Sequence, residues 1–408
     1  MKNHSDKLQH LFRREYVRMT AFLCRHFGLK FMEIAEDIAS DTFLKASEIW
    51  AVEGIPENPE AWLFTVAKNK TRDYLRHVRV VEESTGKRDF TEQFNVPDGH
   101  PTEAQFIQDS QLAMIFAVCD PVISPESQIA LALQVLCGFS VPEIAKAFLS
   151  KPETIKKRLQ RARAQLRESG FALLDLDTDT IQRRLPVVLK TLYLLFNEGY
   201  YSEAGSPMVR KELCSEAIGL ALKLRQNPST AVSEVFALLA LMCYQSSRLE
   251  ARVDTSGQTL LFDEQDRALW DNELIQQGHY YLVTATESAE ISKYHLEAGI
   301  AYWHTTDDPG KWEQILRLYD QLIHIDQSPV TLLSRCYVFS KVHGKESAIA
   351  VVENLEWESY HRYALLGYLY REIDPQKAQY YYNKALNFNV AETVRQQLQR
   401  ELSQLDLP

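Results

Sequence analysis

Residues 140–168 read SVPEIAKAFLSKPETIKKRLQRARAQLRE, and the reading of this stretch decides the fold. Two Ser-x-x-Glu patterns, Ser140 to Glu143 and Ser150 to Glu153, predict two helix starts in quick succession, each with a proline in its first turn. Wound at about 100° per residue, the second helix places Ile155, Leu159, Ala162 and Leu166 on one narrow stripe. Lys156, Lys157, Arg158, Arg161, Arg163 and Arg167 cover most of the remaining circumference. By itself this reads first as a solvated helix whose lysines and arginines hold its surface in water. A short helix, a tight turn and a second helix with a basic surface form a helix-turn-helix, and that context favours DNA reading.

Upstream, SPESQIALALQVLCG predicts a helix with Ser124 as cap, Pro125 in the first turn and Gly138 as stop, preceded by a helical segment over about 105–119. Residues 82–104, EESTGKRDFTEQFNVPDGHPTEA, are poor in apolar residues and carry Gly and Pro, as a linker does. That linker is solvated, folds over a basic surface, or mimics nucleic acid; its composition suits all three. Before it lie three helices. The first is capped by Ser5 and stopped at Gly28, the second spans 31–50, and the third has Asn58 as N-cap, Pro59 at its first position and an end near Arg79. Along the third, Lys68, Arg72, Arg76 and Arg79 follow one another at spacings of 4, 4 and 3, with Trp62, Phe64 and Tyr74 close by. Cations beside aromatic faces suit single-stranded nucleic acid; a core of aromatics under a solvated basic face is the plainer alternative. Glu33, Asp37 and Asp41 line one face of the second helix, as ordinary surface or as an invitation to a basic partner.

Charge is unevenly spread. Of 45 Lys+Arg and 55 Asp+Glu, residues 1–170 hold 23 of each, so the whole net charge of −10 belongs to residues 171–408. Residues 151–167 alone carry seven basic side chains and one acidic. A basic patch on an acidic chain points to a placed anionic partner, and the acidic half is not expected to touch nucleic acid. With 15 Gly and 15 Pro in 408 residues, long helices are favoured over many short strands. Six scattered cysteines without a CxxC pair read as reduced core residues, and neither a metal site nor a cofactor is expected. The longest apolar run, VFALLALMCY at 235–244, is half of the roughly 20 residues a membrane span needs. The amino terminus lacks the apolar core of a signal peptide, so the expectation is a cytoplasmic protein without membrane contact.

Residues 10–168 resemble bacterial sigma factors of the extracytoplasmic-function type, within the sigma-70 family. AEDIASDTFLKASEIW (35–50) looks like the family's region that docks on the clamp of core RNA polymerase; NPEAWLFTVAKNKTRDYLRH (58–77) is similar to the segment that captures and melts the −10 promoter element; residues 124–168 look like the −35-reading domain. The resemblance implies Asp37, Asp41 and Phe43 as polymerase contacts, and Trp62, Lys68, Asn69, Arg72, Asp73 and Arg76 at the −10 strand. It implies Thr154, Lys156, Lys157, Arg158 and Arg161 at the −35 duplex. Core RNA polymerase and promoter DNA are then the partners, and the chemistry belongs to polymerase rather than to this chain.

The family's usual pattern ends near residue 170. LPVVLKTLYLLFNEGYYSEAG (185–205) resembles the signature of a subgroup with a large helical extension. Asn197, Glu198, Gly199 and Tyr200 in it read either as a docking loop or as the last turn of a helix that begins near Asp179 and ends at Gly199. Catalysis by Glu198 or His279 lacks any accompanying paired carboxylate, Ser-His-Asp set or phosphate loop. Further on, YHLEAGIAYWH (294–304) aligns with YHRYALLGYLY (360–370) at an offset of 66. The triplets Ile315/Tyr319/Leu322, Ala348/Val352/Leu355 and Ala378/Tyr382/Ala385 recur after 33 and 30 residues, near the 34 of tetratricopeptide repeats. Such helix pairs stack into a solenoid, whose tyrosines serve packing or peptide contacts.

The expected fold is all-α. Residues 1–81 form a sigma region 2, 82–104 an acidic linker, 105–170 a sigma region 4, 171–285 a helical extension and 286–408 tetratricopeptide-like repeats. The expected function is a sigma factor with a fused regulatory domain, which docks intramolecularly or receives a protein or peptide. The alternative is a helix-turn-helix repressor or activator with a repeat-based sensor, which leaves the helix at 58–79 unexplained.

Overall fold

The computed structural model describes residues 15–25, 27, 31–85, 103–148, 150–169, 178–201, 207–252, 260, 262–288, 290–390 and 392–405. All regular structure among them is helical. The expected cap Ser5 and stop Gly28 lie outside the described residues, as does the side chain of Arg79. The chain divides into two compact units: residues 1–195 with 204–209, and residues 196–203 with 210–408.

In the first unit, residues 15–25 form α1, followed by α2 (Met32–Glu53) and α3 (Pro59–Thr85). Asn58 caps α3 as expected, its Oδ1 accepting from the Ala61 amide at 3.0 Å, and α3 runs six residues past Arg79. Met19, Phe22 and Leu23 of α1, Ala35, Ile38 and Ala39 of α2, and Leu63, Phe64 and Ala67 of α3 are buried. α4 (Glu103–Val118) leads to α5 (Pro125–Leu131), where Ser124 accepts from the Ser127 amide. One wide π-helical turn at Ala132–Leu136 extends α5, and Gly138 ends it with a left-handed φ of 69°. α6 (Val141–Ala147) and α7 (Pro152–Glu168) complete the helix-turn-helix.

The Ser140–Glu143 capping box is present with both of its reciprocal hydrogen bonds. The second is not formed. Lys151 is the N-cap of α7 and makes no side-chain cap bond, while the Ser150 amide is held in the turn by the Ala145 carbonyl at 2.8 Å. Ser150 therefore stays one residue outside the helix, and Pro152 takes the first position, where a missing N–H costs nothing.

α8 (Thr178–Tyr201) begins in the first unit. Its Arg184 bonds the Asp120 carboxylate at 2.9 Å, and its Thr191 donates to Gln128 Oε1 at 2.8 Å. Asp120 and Gln128 are both buried, so the compact part of the first unit includes side chains well beyond residue 170.

The second unit contains α9 (Pro207–Gln226) from Arg210 onward, α10 (Ser233–Ser246), α11 (Asn272–Ala285), α12 (Lys293–Thr305), α13 (Lys311–Ile325), α14 (Pro329–His343), α15 (Lys345–Glu353), α16 (Tyr360–Tyr370), α17 (Pro375–Leu386) and α18 (Glu392–Ser403). From α12 to α18 each helix packs on the next, and the three recurrent triplets fall on α13, α15 and α17, the second helix of each pair, except that Leu355 lies two residues past the end of α15. Ile315, Leu322, Ala348, Val352, Ala378, Tyr382 and Ala385 are buried. The close approach of α16 to α17 requires Gly367: a Cβ there would stand 2.7 Å from the Tyr382 ring. Gly278 of α11 meets the Tyr244 ring of α10 in the same way. The apolar run at 235–244 is explained by α10, which packs against both α11 and α12 and is buried almost all round.

Candidate nucleic-acid interface

In α7 the side chains Ile155, Leu159, Ala162 and Leu166 are buried at 0–3% exposure, and α5 and α6 both pack on the helix. That inward stripe leaves Thr154, Lys156, Lys157 and Arg161 exposed and Arg158 half-buried. Lys156, Lys157 and Arg161 form no ion pair with a described residue. A rigid helix whose cations are open to solvent is what phosphate neutralisation and guanine-edge contacts require.

Arg163 departs from the expected exposed basic surface. It forms a bidentate pair with Glu36 of α2 at 2.7 and 2.6 Å, and donates to Gln134 Oε1 at 2.9 Å. Its side chain is only 13% exposed, and that of Glu36 21%. Burial works against the Arg163 charge, yet the hydrogen bonds and field of Glu36 raise its pKa above the ordinary value. Arg167 reaches Glu33 of the same helix at 3.9 Å. Helical periodicity ranks Arg163 with its exposed neighbours because it carries no information about a partner 127 positions away.

On α3, Lys68, Asn69, Arg72, Asp73 and Arg76 are all exposed, and Arg76 pairs with Asp73 at 3.5 Å. The aromatic residues divide. Phe64 is buried edge-on against Phe22 and Tyr74 is half-buried against Phe27, so both belong to the core. Trp62 is half-buried, 5.5 Å from Trp50. On α2, Asp37 and Asp41 are exposed, Asp41 with Lys70 at 3.2 Å, while Phe43 is half-buried beside Tyr16.

In the second unit, α8 does not end at Gly199; it continues to Tyr201, with Gly199 buried inside it. Tyr200 is buried, stacked on Phe196 at 5.7 Å, and its hydroxyl accepts from Arg248 at 3.0 Å. The Arg252 guanidinium lies 3.9 Å over the Tyr200 ring and donates to the Tyr200 carbonyl. These interactions hold the last turn of α8, which overrides the helix-breaking tendency of Gly199. Burial raises the Glu198 pKa, and Asn197 Oδ1 is buried without a hydrogen-bond partner among the described residues. His279 is bonded through Nδ1 to the Tyr244 hydroxyl at 2.7 Å.

All six cysteines are buried and free, and burial pushes the Cys119, Cys214 and Cys243 thiols up to about 12, far from nucleophilic use. Among the described residues no cluster of His, Cys, Asp and Glu is placed to hold a metal ion, and no helix is long and apolar enough to cross a membrane.

Comparison with known proteins matches residues 11–80 to sigma-70 region 2, residues 123–166 to sigma-70 region 4, and residues 184–286 to a family of unknown function, DUF6596. The chain is similar to the uncharacterized protein R00370 of Rhizobium meliloti (32% identical; 82% of this chain, 79% of that one). It is also similar to the RNA polymerase sigma factor CnrH of Cupriavidus metallidurans (30% identical; 38% of this chain, 80% of that one). A shorter likeness links it to the ECF RNA polymerase sigma factor SigE of Mycolicibacterium smegmatis (27% identical; 33% of this chain, 51% of that one). No solved structure matches. The region 2 match covers α3, the helix that a plain helix-turn-helix repressor leaves unexplained, and the chain belongs to the extracytoplasmic-function sigma factors of the sigma-70 family, with a DUF6596 extension fused behind region 4.

Proposed function

We propose that this sigma factor reads its promoter with two separate surfaces and that its acidic extension regulates that reading. Membership of the family implies core RNA polymerase and promoter DNA as partners. The observation that carries the assignment of residues is the open cationic face of α7, mounted on a helix-turn-helix whose opposite face is buried. Lys156, Lys157, Arg158 and Arg161, with Thr154 at the helix start, contact the −35 duplex, where they release counterions from phosphates and approach guanine edges. The exposed row Lys68, Asn69, Arg72, Asp73 and Arg76 faces the −10 strand, and Trp62 offers a ring edge beside it. Asp37 and Asp41, exposed on α2, meet a basic surface of polymerase next to Phe43.

The chain supplies no reacting group in this scheme; it positions polymerase. The extension carries −10 of net charge beyond residue 170, so it repels DNA and leaves that task to the first unit. Its stacked helix pairs suit a protein or peptide ligand, and its Asn197–Tyr200 segment marks the subgroup.

The test is run-off transcription with purified core RNA polymerase on a pool of genomic promoters, comparing the full chain with Lys157→Ala/Arg161→Ala. Start sites should appear only when the protein is added and weaken in the variant. Duplex binding without any polymerase-dependent initiation would replace this reading with that of a repressor.

A further inference from the structure

In the second unit, a guanidinium is held at the end of α8 without a carboxylate. Arg248, two residues past α10, is half-buried. Its Nη2 donates to the Tyr200 hydroxyl at 3.0 Å, and its Cζ lies 5.0 Å from the centre of the Phe262 ring and 5.8 Å from that of Trp270. The two rings steady the cation, but they offer no lone pair to its remaining N–H groups. Beyond residue 170 acidic side chains outnumber basic ones by ten, yet none among the described residues pairs with Arg248. Arg267, 5.0 Å from the same Trp270 ring, does have a carboxylate, that of Asp307. A half-buried charge with no counter-ion is costly unless an anion reaches it.

The neighbouring groups are incomplete in the same way. Trp270 is 7% exposed, and its Nε1–H is buried with no acceptor among the described residues. The Asp271 amide donates to the Ser247 carbonyl at 2.8 Å, which fastens the Trp270 backbone beside that of Arg248. Gln265, whose amide closes a turn onto the Phe262 carbonyl at 3.3 Å, has a buried Oε1 with no donor among the described residues. Buried donors and acceptors in native proteins find partners almost without exception, so an unpaired indole N–H beside an unpaired guanidinium points to a missing acceptor.

We propose that Arg248 and Trp270 form a binding site for a small oxyanion, the carboxylate or phosphate group of a soluble ligand. Arg248 takes two of its oxygens through parallel N–H bonds, as a planar guanidinium does best, and the indole donates a further bond. A hydroxyl or N–H on the ligand serves Gln265. The same guanidinium fastens Tyr200 in the last turn of α8, so the occupant touches the residue that closes the Asn197–Tyr200 segment. The site is independent of promoter reading and stands whether or not the chain serves polymerase.

Isothermal titration calorimetry on the full chain tests this, with sodium phosphate and, separately, sodium acetate titrated at an ionic strength held constant with chloride. Saturable heat at one site is expected from phosphate, from acetate or from both, and the anion that binds names the group. Arg248→Gln should weaken binding about tenfold or more and Trp270→Phe about fivefold, the losses that follow from removing a charged and a neutral hydrogen bond. Lys156→Ala/Lys157→Ala/Arg161→Ala, which strips the exposed cations of α7, should leave the heat unchanged. No saturable heat from either anion overturns the site, and so does binding that survives Arg248→Gln or disappears with the α7 cations. Should Arg248→Gln fail to fold, Trp270→Phe decides alone, because it keeps a ring under the guanidinium and removes only the indole N–H; an unchanged affinity then overturns the proposal.

Discussion

The two units of this chain use polar side chains in opposite directions. In the first, α7 presents Lys156, Lys157 and Arg161 to solvent, and α3 presents Lys68, Arg72 and Arg76. In the second, charges and hydroxyls pair with one another: Tyr370 and Tyr381 both donate to Glu353 at 2.8 and 3.0 Å, Tyr363 donates to Glu358 at 2.7 Å, and Arg371 holds Glu401 at 3.0 Å. The first unit pairs some of its charges internally but leaves the cations of α7 at Lys156, Lys157 and Arg161 open for a partner; the second uses its polar groups in fixing how helix pairs stack. That difference explains why the first half announces a function while the second announces an architecture.

The comparison breaks most visibly if the units are cut where family likeness stops. A chain ending at residue 170 loses Arg184, the partner of the 5% exposed Asp120 side chain, and Thr191, the partner of Gln128. It also loses the buried Val188, Leu189 and Leu192. At about 1.5–3 kcal/mol for each buried aliphatic side chain, plus the cost of a stranded carboxylate, the loss is about 5 kcal/mol or more. Thermal unfolding should place the 1–170 chain well below a chain ending at residue 195, and equal midpoints would show that α8 contributes nothing to the first unit.

A smaller effect sharpens the outward half of the comparison. Lys156→Ala/Lys157→Ala/Arg161→Ala removes charges that touch no described partner, so the fold should be unmoved while duplex affinity falls. The slope of log K against log salt should flatten by about 0.9 for each phosphate that is no longer neutralised. An unchanged slope would mean that DNA lies elsewhere. On the inward half, Gly367→Ala presses a methyl 2.7 Å from the Tyr382 ring and should cost about 1–3 kcal/mol, read as a lower unfolding midpoint of the second unit. A neutral outcome would mean that α16 and α17 do not pack at this distance.

Much of this was legible in the sequence because it is local. The stripe Ile155/Leu159/Ala162/Leu166, the Ser140 capping box, Asn58 ahead of Pro59 and the triplets on α13, α15 and α17 all depend on neighbours a few positions away. What escaped is set by distant residues. Ser150 fails to cap because the Ala145 carbonyl holds its amide, and Gly199 fails to end α8 because Arg248 and Arg252 clasp Tyr200 from about 50 positions further on. Arg163 has no sequence signal that separates it from Arg161; only the fold brings Glu36 to it. Tertiary contacts outweigh propensities of about 1 kcal/mol or less per residue.

The smallest effect probes whether the inward polar contacts of the second unit contribute to stability or merely fill space. Asp326 bonds Lys293 at 2.7 Å and accepts from the Ser328 amide at 3.0 Å; burial alone would raise its pKa, but these bonds hold it below the ordinary carboxylate value. A depressed carboxylate adds stability that is complete above its unfolded pKa of about 3.9 and is lost as pH falls through the lower folded value. The partner runs the other way. Burial disfavours the Lys293 charge, yet Glu297 and Asp326 raise its pKa, so its contribution persists through neutral pH and fades only as pH climbs through that raised value. Asp326→Asn should therefore lower stability by on the order of 1 kcal/mol at pH 7 and by progressively less towards pH 2, converging on the native chain in acid. Chemical denaturation followed across that range measures the difference, and a gap that stays constant with pH would assign the cost to lost packing rather than to the charge on Asp326.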